Sequence, residues 1–408
     1  MEQEDKIKIL SNLVSFNTVN GNELPAAKYI QTVLAKYEIE SKLIDLGNNQ
    51  ANLVVEFGSG NHPILAVSGH FDTVSVDKSA WKTNPFELTI KDGIMFGSGV
   101  TDMKGGVAAL IISLIELKEQ QIQLPGTIRL LLTAGEEVGM LGSHQLQKDG
   151  YMDDVDSLLI AEPTGYRIVY ANKGEVDFEV TSIGKEAHSS RPNFGINAIQ
   201  NLMDVLEETR AVIEKKAAEN QSASLGKTTY TVDIFQGGIQ VNAIPGIAKA
   251  EINTRIVPSY NNQQIIADFK QVVADFNRVH DGEIKVAIKM NISPVNADPK
   301  SKLINNIIKV ATPFLNKTDY SESEVKQGQL MLEKQGFNPF SKDKIAVLTA
   351  AGGTDASELL VNKLNGASYA VFGPGNPLKM HQNNESTSLS MWLNFIEIYK
   401  KLFVCYFD

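Results

Sequence analysis

The sequence predicts an α/β protein in which helices flank a mainly parallel sheet, with a smaller α+β sandwich inserted into the chain. Helical and strand patterns alternate between residues 5 and 161. The near-continuous apolar runs at 64–68, 128–132 and 158–160 are typical of parallel strands that helices cover on both faces. From Gly174 onward the strand patterns alternate polar and apolar residues, which indicates strands with one exposed face.

Chain length predicts more than one domain. The 408 residues exceed the roughly 250–300 that one hydrophobic core supports. We expect residues 1–174 and 293–408 to form the catalytic domain in two parts, and residues 175–292 to form the inserted domain. The stretch 317–344 is polar and receives no assignment.

Helices are predicted where apolar residues recur every three or four positions, and strands where short runs are β-rich or alternate. In the first part, helices are predicted over 5–16, 23–37, 104–118 and 141–148, and strands over 43–46, 52–57, 64–68, 127–133 and 158–161. In the insert, strands are predicted over 175–182, 228–235, 248–255 and 283–292, and helices over 196–212 and 263–279. In the last part, helices are predicted over 301–314, 355–361 and 386–402, and strands over 345–348 and 368–372.

Composition excludes several classes of partner. Lys and Arg number 38 against 48 Asp and Glu, a formal net charge of −10. Phosphate backbones and anionic lipid repel a chain of this sign, so we expect neither nucleic acid nor a membrane as partner. Cys405 is the single cysteine, which suits a reducing compartment. The acidic, polar start differs from a signal peptide, and we expect a cytoplasmic protein.

His70 directly follows the apolar run at 64–69, and Asp72 comes two residues later. Residues two apart in an extended chain share a face, so Asp72 could orient the His70 ring behind a metal. Taken alone, the pattern more often indicates a hydrogen-bonded histidine at a strand end.

Asp102 lies in a glycine-rich turn immediately before the helix predicted over 104–118. The carboxylate could cap that helix, ligate a cation, or do both. The turn lacks the G-x-x-x-x-G-K-[ST] pattern of a phosphate loop.

Three acidic residues follow or end two further apolar strands. Glu136 and Glu137 come after the strand at 128–132, and Glu162 ends the strand at 158–161. Adjacent carboxylates that point in different directions can divide labour, one binding a cation while the other transfers protons. Taken alone, Glu162 would be an ordinary surface charge.

The coincidence of these positions favours a metal site. Three successive apolar strands end in His or Glu at the edge where open α/β sheets bind ligands. Carboxylates with imidazole suit Zn²⁺, Mn²⁺ or Co²⁺. Among the remaining histidines, His381 follows a predicted strand and is the better candidate for a second imidazole ligand.

Taken together, five motifs resemble the co-catalytic zinc amidohydrolase family of acetylornithine deacetylase, succinyl-diaminopimelate desuccinylase, aminoacylase and the glutamate carboxypeptidases. They stand in the family's order and span essentially the whole chain: GHFDTV at 69–74, GVTDMKGG at 99–106, GEEVG at 135–139, AEPT at 161–164 and MH at 380–381. The resemblance implies a zinc aminopeptidase-like catalytic domain and an inserted lid and dimerisation domain.

The resemblance also implies roles for these residues. Asp102 would bridge two divalent ions, most simply Zn²⁺ with Co²⁺ or Mn²⁺ as alternatives. His70 and Glu162 would complete one site, and Glu137 and His381 the other. Glu136 would be the general base, and Asp72 would stand behind His70.

The inserted segment carries the other resemblances. GKEAHSSRP at 184–192 resembles the family's lid motif, in which the histidine, here His188, stabilises the oxyanion in a partner subunit's site. Without that context His188 is an ordinary turn histidine. The motif implies a homodimer formed through the inserted domain.

Substrate contacts are implied at five positions. Arg255 and Asn242 resemble lid residues that bind a substrate carboxylate, and Gly353 and Thr354 resemble a loop that meets the α-carboxylate. Arg255 could equally be an exposed strand charge, and Thr354 a helix cap. Lys173 stands where desuccinylating members tend to carry an arginine pair, and one ammonium would hold a succinyl carboxylate less rigidly.

The expected activity is hydrolysis of a small N-acyl amino acid, with N-succinyl-LL-2,6-diaminopimelate as the leading substrate. Deacetylation of N-acetylornithine and cleavage of a dipeptide stay open. A metal-binding sensor without hydrolytic activity is the alternative outside enzymes.

Overall fold

The computed structural model describes residues 1–315, 326, 330, 344–364 and 366–408. The unassigned stretch 317–344 lies mostly outside the described residues. Internal contacts divide the chain into two compact units. The first comprises Met1–Tyr170, Ala297–Leu348 and Thr354–Asp408, and the second comprises Ala171–Asn296 and Thr349–Gly353. The boundaries predicted for the catalytic and inserted domains, at 174/175 and 292/293, stay predictions.

The strands and helices are numbered here in chain order. The strands are β1 (Lys42–Gly47), β2 (Gln50–Gly58), β3 (Ile64–His70), β4 (Thr89–Lys91), β5 (Ile94–Phe96), β6 (Thr127–Thr133), β7 (Ser157–Pro163), β8 (Ile168–Asn172), β9 (Gly174–Ile183), β10 (Ala187–His188), β11 (Thr229–Gly237), β12 (Ala243–Ile244), β13 (Ile247–Ile256), β14 (Glu283–Ile292), β15 (Val295–Asn296), β16 (Val347–Ala350), β17 (Tyr369–Gly373) and β18 (Ser386–Ser388). The α-helices of the described residues are α1 (Gln3–Ser15), α2 (Leu24–Lys36), α3 (Lys104–Glu119), α4 (Leu141–Lys148), α5 (Ala198–Glu219), α6 (Asn262–Val279), α7 (Lys302–Ala311), α8 (Ala356–Leu359) and α9 (Leu389–Cys405). Within the described part of the chain, no helix is both long enough and apolar enough to cross a membrane.

The main sheet of the first unit has the strand order β1-β2-β6-β3-β7-β17-β8. Its four central strands β6, β3, β7 and β17 run parallel to one another. They are buried along their whole length, which explains their nearly continuous apolar sequences. The predicted α/β fold with a mainly parallel sheet is therefore confirmed. Because these strands are parallel, their carboxyl ends lie at one edge of the sheet.

Helix α3 packs closely against this sheet because it carries a glycine. A Cβ atom at Gly106 would lie 2.3 Å from the carbonyl oxygen of Ala161 in β7. On its other side, α3 packs against α9, where Trp392 Nε1 donates a hydrogen bond to the Gly105 carbonyl at 2.9 Å. This close packing brings the turn before α3 next to the end of β7.

Short elements account for several of the differences from the predicted secondary structure. The helix predicted over 386–402 begins only at Leu389, because Ser386–Ser388 pairs with β5 instead. The Ser388 side chain then accepts a hydrogen bond from the Met391 N–H and starts α9. The strands β4, β5 and β8 were not predicted, since three to five residues contain too little periodicity to identify a strand.

The second unit contains an antiparallel sheet with the strand order β11-β13-β9-β14. The alternating burial along β9 and β13 matches the alternating sequence pattern. The buried residues of α5 and α6 join those of the sheet in one hydrophobic cluster, which includes the stacked rings of Phe178 and Phe269. The unit is therefore an α+β sandwich, and β11 and β14 form the edges of its sheet.

Candidate active site

The predicted ligands and base lie at the carboxyl-terminal edge of the main sheet. They come from five segments: His70 ends β3, Asp102 precedes α3, Glu136 and Glu137 follow β6, Glu162 lies near the end of β7, and His381 follows a 3-10 turn after β17. The fold thus brings together six side chains that span more than three hundred positions of the sequence.

One group of three ligand atoms is centred on His70. Its Nε2 atom lies 3.2 Å from Asp102 Oδ1 and 3.1 Å from Glu162 Oε1. All three residues are buried, and the His70 side chain is only 1% exposed. The three atoms are close enough to bind one ion together.

A second group shares Asp102. His381 Nε2 lies 3.1 Å from Asp102 Oδ2 and 2.9 Å from Glu137 Oε1. Asp102 therefore directs one oxygen to each histidine, as a bridging carboxylate does. Its role as a helix cap is not observed, because Met103 is the N-cap residue of α3.

The donor set suits two divalent cations. Within each group the possible ligand atoms lie within 4.8 Å of one another. Imidazole nitrogen with carboxylate oxygen is a ligand set for Zn²⁺, Co²⁺ or Mn²⁺, and the only cysteine, Cys405, lies in α9.

Electrostatics favour the same conclusion. Burial, together with the nearby Asp102 carboxylate, raises the pKa of Glu162 to about 8. Hydrogen bonds to Asp102 and Glu137 raise the pKa of His381 to about 10. Although burial opposes it, hydrogen bonds with His381 and His70 hold the pKa of Asp102 well below its usual range. The site is thus an acidic cluster that binds positive charge, here as protons, and a metal cation would replace those protons.

Glu136 lies beside the cluster without joining either of the two groups that share Asp102. Burial and the neighbouring Glu162 and Asp355 carboxylates raise its pKa well above the usual range, although His70 acts in the opposite direction. A carboxylate with a raised pKa next to a metal site suits a group that both accepts and donates a proton.

Asp72 contacts more than the histidine it was expected to orient. His70 Nδ1 lies 3.0 Å from the Asp72 main-chain oxygen but 3.4 Å from its carboxylate. The carboxylate instead accepts hydrogen bonds from the main-chain N–H groups of Glu136, at 3.1 Å, and Glu137, at 2.9 Å. Asp72 therefore holds the turn that carries the predicted base and a predicted ligand, and its backbone orients His70.

Two buried charged residues near the site were not identified from the sequence. Glu385 accepts main-chain hydrogen bonds from Gly99, Thr101 and Asp102, and burial raises its pKa to about 7. Lys104 is fully buried, donates to the Phe16 carbonyl at 2.8 Å, and has its pKa lowered to about 7 by burial. In the sequence, Glu385 is marked only by its place four residues after His381, and Lys104 only by its place within the motif at 99–106.

The segment before α8 contacts the end of β6. Asp355 Oδ2 accepts a hydrogen bond from the Thr133 hydroxyl at 2.5 Å, three residues before Glu136. Thr354 Oγ1 accepts a hydrogen bond from the Ala356 N–H at 3.3 Å, so its side chain serves the start of α8. The N-cap residue of α8 is Asp355, so Thr354 is not the helix cap of the alternative interpretation, and a substrate role for it stays a prediction.

The contacts of His188, in the second unit, indicate which of its two ring nitrogens accepts a hydrogen bond. The main-chain N–H of Ser190 points to His188 Nδ1 at 3.2 Å, and the Ser190 hydroxyl lies 2.8 Å from the same atom. A main-chain N–H can only donate, so Nδ1 must accept. The neutral ring then carries its proton on Nε2, where it can be donated to another molecule.

The predicted substrate contacts of the second unit have local partners. Arg255 forms a close ion pair with Glu175, and the Lys173 ammonium donates to the Lys227 carbonyl at 2.7 Å. Burial and the charges of Arg255 and Lys227 lower the pKa of Lys173. Asn242 accepts a hydrogen bond from the Ser189 N–H through its main-chain oxygen, at 3.0 Å. Gly353 also belongs to this unit.

Comparison with known proteins identifies the family. Residues 66–404 match the model of peptidase family M20/M25/M40. The chain belongs to this family. A probable succinyl-diaminopimelate desuccinylase of Staphylococcus aureus is 38% identical and aligns with 99% of this chain and 98% of its own length. The chain is thus an M20 metal-dependent hydrolase, as the motifs indicated.

Other M20 proteins are similar at lower identity. Acetylornithine deacetylase of Buchnera aphidicola is 31% identical over 64% of this chain and 70% of its own length. The M20 metallo-carboxypeptidase Sso-CP2 of Sulfolobus solfataricus has a TM-score of 0.75 at 19% identity, with both chains fully covered. A dinuclear metal-binding M20 peptidase of Bacillus subtilis has a TM-score of 0.67 at 15% identity, covering 98% of this chain and 97% of its own.

Metal binding should release protons. At pH 7 the raised pKa values of His381 and Glu162 keep both groups protonated in the metal-free protein, whereas a metal ligand must be deprotonated. We expect zinc binding at pH 7 to release at least one proton, and zinc affinity to increase as the pH rises through 8 to 10. Calorimetric titration in two buffers with different ionisation enthalpies measures this release.

The matched control replaces a histidine outside the cluster. His381→Gln should reduce the number of protons released. His144→Gln, which removes an exposed histidine paired with Glu358, should leave that number unchanged. Equal heats in both buffers for the unaltered protein would contradict the assignment.

Proposed function

We propose that the protein hydrolyses the amide bond of N-succinyl-LL-2,6-diaminopimelate to give succinate and LL-2,6-diaminopimelate. The observation that carries the hydrolytic chemistry is the position of Asp102 between His70 and His381, with Glu136 beside them. The full-length similarity to a probable succinyl-diaminopimelate desuccinylase supports the choice of substrate. The reaction belongs to diaminopimelate and lysine biosynthesis, and we place it in the cytoplasm.

Two metal ions would be held by the two groups of ligands. His70, Glu162 and one oxygen of Asp102 would bind the first, and Glu137, His381 and the other oxygen would bind the second. Such a pair polarises the amide carbonyl and makes a water nucleophile available at neutral pH. We favour Zn²⁺, with Co²⁺ or Mn²⁺ as alternatives that suit the same ligands.

Glu136 would move the proton. It would accept the proton of the attacking water and pass it to the amine as the carbon–nitrogen bond breaks. The raised pKa of Glu136 suits this double role, since its conjugate acid forms readily and remains able to protonate the amine. Asp72 would keep Glu136 in place through the main-chain N–H that it accepts.

Charge on the carbonyl oxygen would be stabilised by His188 of the partner subunit. The observed contact with Ser190 leaves Nε2–H as the donor that such a role requires. Arg255, Asn242, Gly353 and Thr354 would contact the substrate carboxylates. Arg255 would do so in competition with Glu175, its present ion-pair partner.

A homodimer is required for that assignment, and the edge of the second unit supports it. Strand β11 is exposed along most of its length and presents Val232, Ile234 and Phe235, each more than 40% exposed. An edge strand with several exposed apolar side chains can pair with another strand. We propose that the second copy of this chain covers β11.

Deacetylation of N-acetylornithine is the second candidate. It is favoured by the similarity to acetylornithine deacetylase, and the presence of Lys173 alone at the position of an arginine pair makes the succinyl site less specific. A dipeptidase and a non-hydrolytic metal sensor are the remaining alternatives.

Glu136→Gln should reduce kcat by about 10²–10⁴-fold, because an amide cannot accept the proton. Its zinc content should not change, since Glu136 lies outside both proposed ligand sets. Glu137→Gln is the matched control at the adjacent position and should instead lower zinc content. Kinetics and metal analysis on both variants measure the difference, and a fully active Glu136→Gln would remove this residue from the mechanism.

A substrate panel tests the specificity. We expect the highest kcat/KM for N-succinyl-LL-2,6-diaminopimelate, ahead of N-acetylornithine and a dipeptide. Lys173→Met should lower kcat/KM for N-succinyl-diaminopimelate about tenfold to a hundredfold, the usual loss for one charged hydrogen bond. The matched substrate N-acetyl-diaminopimelate lacks the terminal carboxylate of the succinyl group, so Lys173→Met should leave its kcat/KM unchanged. A higher kcat/KM for N-acetylornithine would establish the second candidate, and tight zinc binding without any hydrolysis would establish the sensor.

Sedimentation velocity tests the dimer. The unaltered protein should sediment as a dimer, and Ile234→Lys on β11 should shift it to monomer, because a lysine on an edge strand disfavours pairing with another strand. Ile288→Lys on β14, at the opposite edge of the same sheet, should leave the dimer intact. A monomeric unaltered protein, or dissociation by Ile288→Lys alone, would refute pairing through β11.

A further inference from the structure

Glu385 is a buried carboxylate for which the proposed mechanism has no role. It is 5% exposed and belongs to neither ligand group. Its Oε1 atom accepts hydrogen bonds from the main-chain N–H groups of Thr101, at 2.7 Å, and Asp102, at 2.9 Å. Its Oε2 atom accepts one from Gly99 at 2.9 Å. Both oxygens are therefore occupied by the turn that ends in Asp102.

Neighbouring residues strengthen the same connection. The Glu385 main-chain oxygen accepts a hydrogen bond from the Gly97 N–H at 3.3 Å. The Thr101 hydroxyl lies 2.6 Å from the Thr387 hydroxyl and donates to the Ser386 carbonyl at 3.0 Å. The segment around Glu385 thus follows the whole turn from 97 to 102.

The same segment carries His381, four residues before Glu385. Glu385 consequently joins the chain that supplies one imidazole to the turn that supplies the shared carboxylate. Asp102 lies before the first turn of α3, so helical hydrogen bonds do not hold its main-chain N–H. Its Oδ1 and Oδ2 atoms must nevertheless face His70 and His381 at the same time.

We propose that Glu385 is a positioning residue that orients Asp102 so that both metal ions bind. This inference rests on the proposed dinuclear function. A carboxylate is needed because three donors converge on two oxygen acceptors. An amide of the same shape supplies one oxygen, and its NH₂ group faces at least one main-chain N–H that then has no partner.

Glu385→Gln is the test, with zinc affinity as the main measurement. Replacing a group that orients a metal ligand typically costs about 10–100-fold in metal affinity. We expect a loss of that size for at least one of two zinc ions, measured by chelator competition, and an altered visible absorption spectrum of the Co²⁺-loaded protein. On N-succinyl-diaminopimelate, kcat should fall more than KM changes.

Glu116→Gln is the matched control. Glu116 is also a buried carboxylate of the first unit, but it pairs with Lys6 and Lys400 and not with the ligand cluster. Both variants should lower the melting temperature of the metal-free protein, whereas only Glu385→Gln should change zinc affinity and the Co²⁺ spectrum. Those two readouts separate positioning from a general loss of stability.

The outcomes are distinct. If Glu385→Gln binds two zinc ions with unaltered affinity and an unaltered Co²⁺ spectrum, the inference is overturned. If Glu385→Gln does not fold, Glu385→Asp is measured in its place. Aspartate keeps both carboxylate oxygens, but its side chain is one methylene shorter, so the oxygens no longer reach the turn in the same way. The same criteria apply to it. An unaltered protein that binds two zinc ions but hydrolyses no substrate of the panel would refute the proposed function, and the zinc measurements would still decide the role of Glu385.

Discussion

The candidate active site depends on one carboxylate, Asp102, that contacts two histidines. Asp102 is buried, and its two oxygens face imidazoles that lie 311 positions apart in the sequence, His70 and His381. A carboxylate that contacted only one histidine would leave two separate, weaker groups of ligands. Because Asp102 belongs to both groups, every segment that orients it, or that brings a histidine to it, contributes to the same site.

The parallel sheet brings the residues of the site to one place. Since β3, β6 and β7 run in one direction, the residues that end or follow them come to a common edge without any long-range sequence signal. A glycine lets the helix after Asp102 pack closely against the sheet. A side chain at Gly106 would collide with the Ala161 carbonyl and push α3 away from β7. Asp102 lies four residues before Gly106, and Glu162 directly follows Ala161, so close packing of helix and strand sets the distance of each from His70.

The site also concentrates negative charge where water has limited access. Several carboxylates with two imidazoles are stable in such a place only when cations or protons balance them, as the raised pKa of Glu162 shows. Two further carboxylates, Asp72 and Glu385, do not join the shared ligand groups and instead accept main-chain N–H groups of the ligand-bearing turns. Their hydrogen bonds give the ligand geometry a fixed support that does not itself require metal.

Local sequence patterns were enough to predict the fold class, the approximate place of most elements and the residues of the candidate ligand cluster. Periodicity and apolar runs are local properties, and the motifs around His70, Asp102, Glu136, Glu162 and His381 are specific when they are taken in combination. Short strands such as β5 and β18 were not predicted, because they form through pairing in the small sheet β18-β5-β4.

Which atoms are in contact follows from the folded chain alone. The Asp72 carboxylate holds the Glu136–Glu137 turn rather than only the His70 ring. These contacts join Asp72 to main-chain groups that lie 64 and 65 positions later in the sequence. The contacts of Glu385 with the Asp102 turn span 283 to 286 positions. Hydrogen bonds of this kind leave no periodic trace in the sequence, since they form only after packing has brought distant segments together.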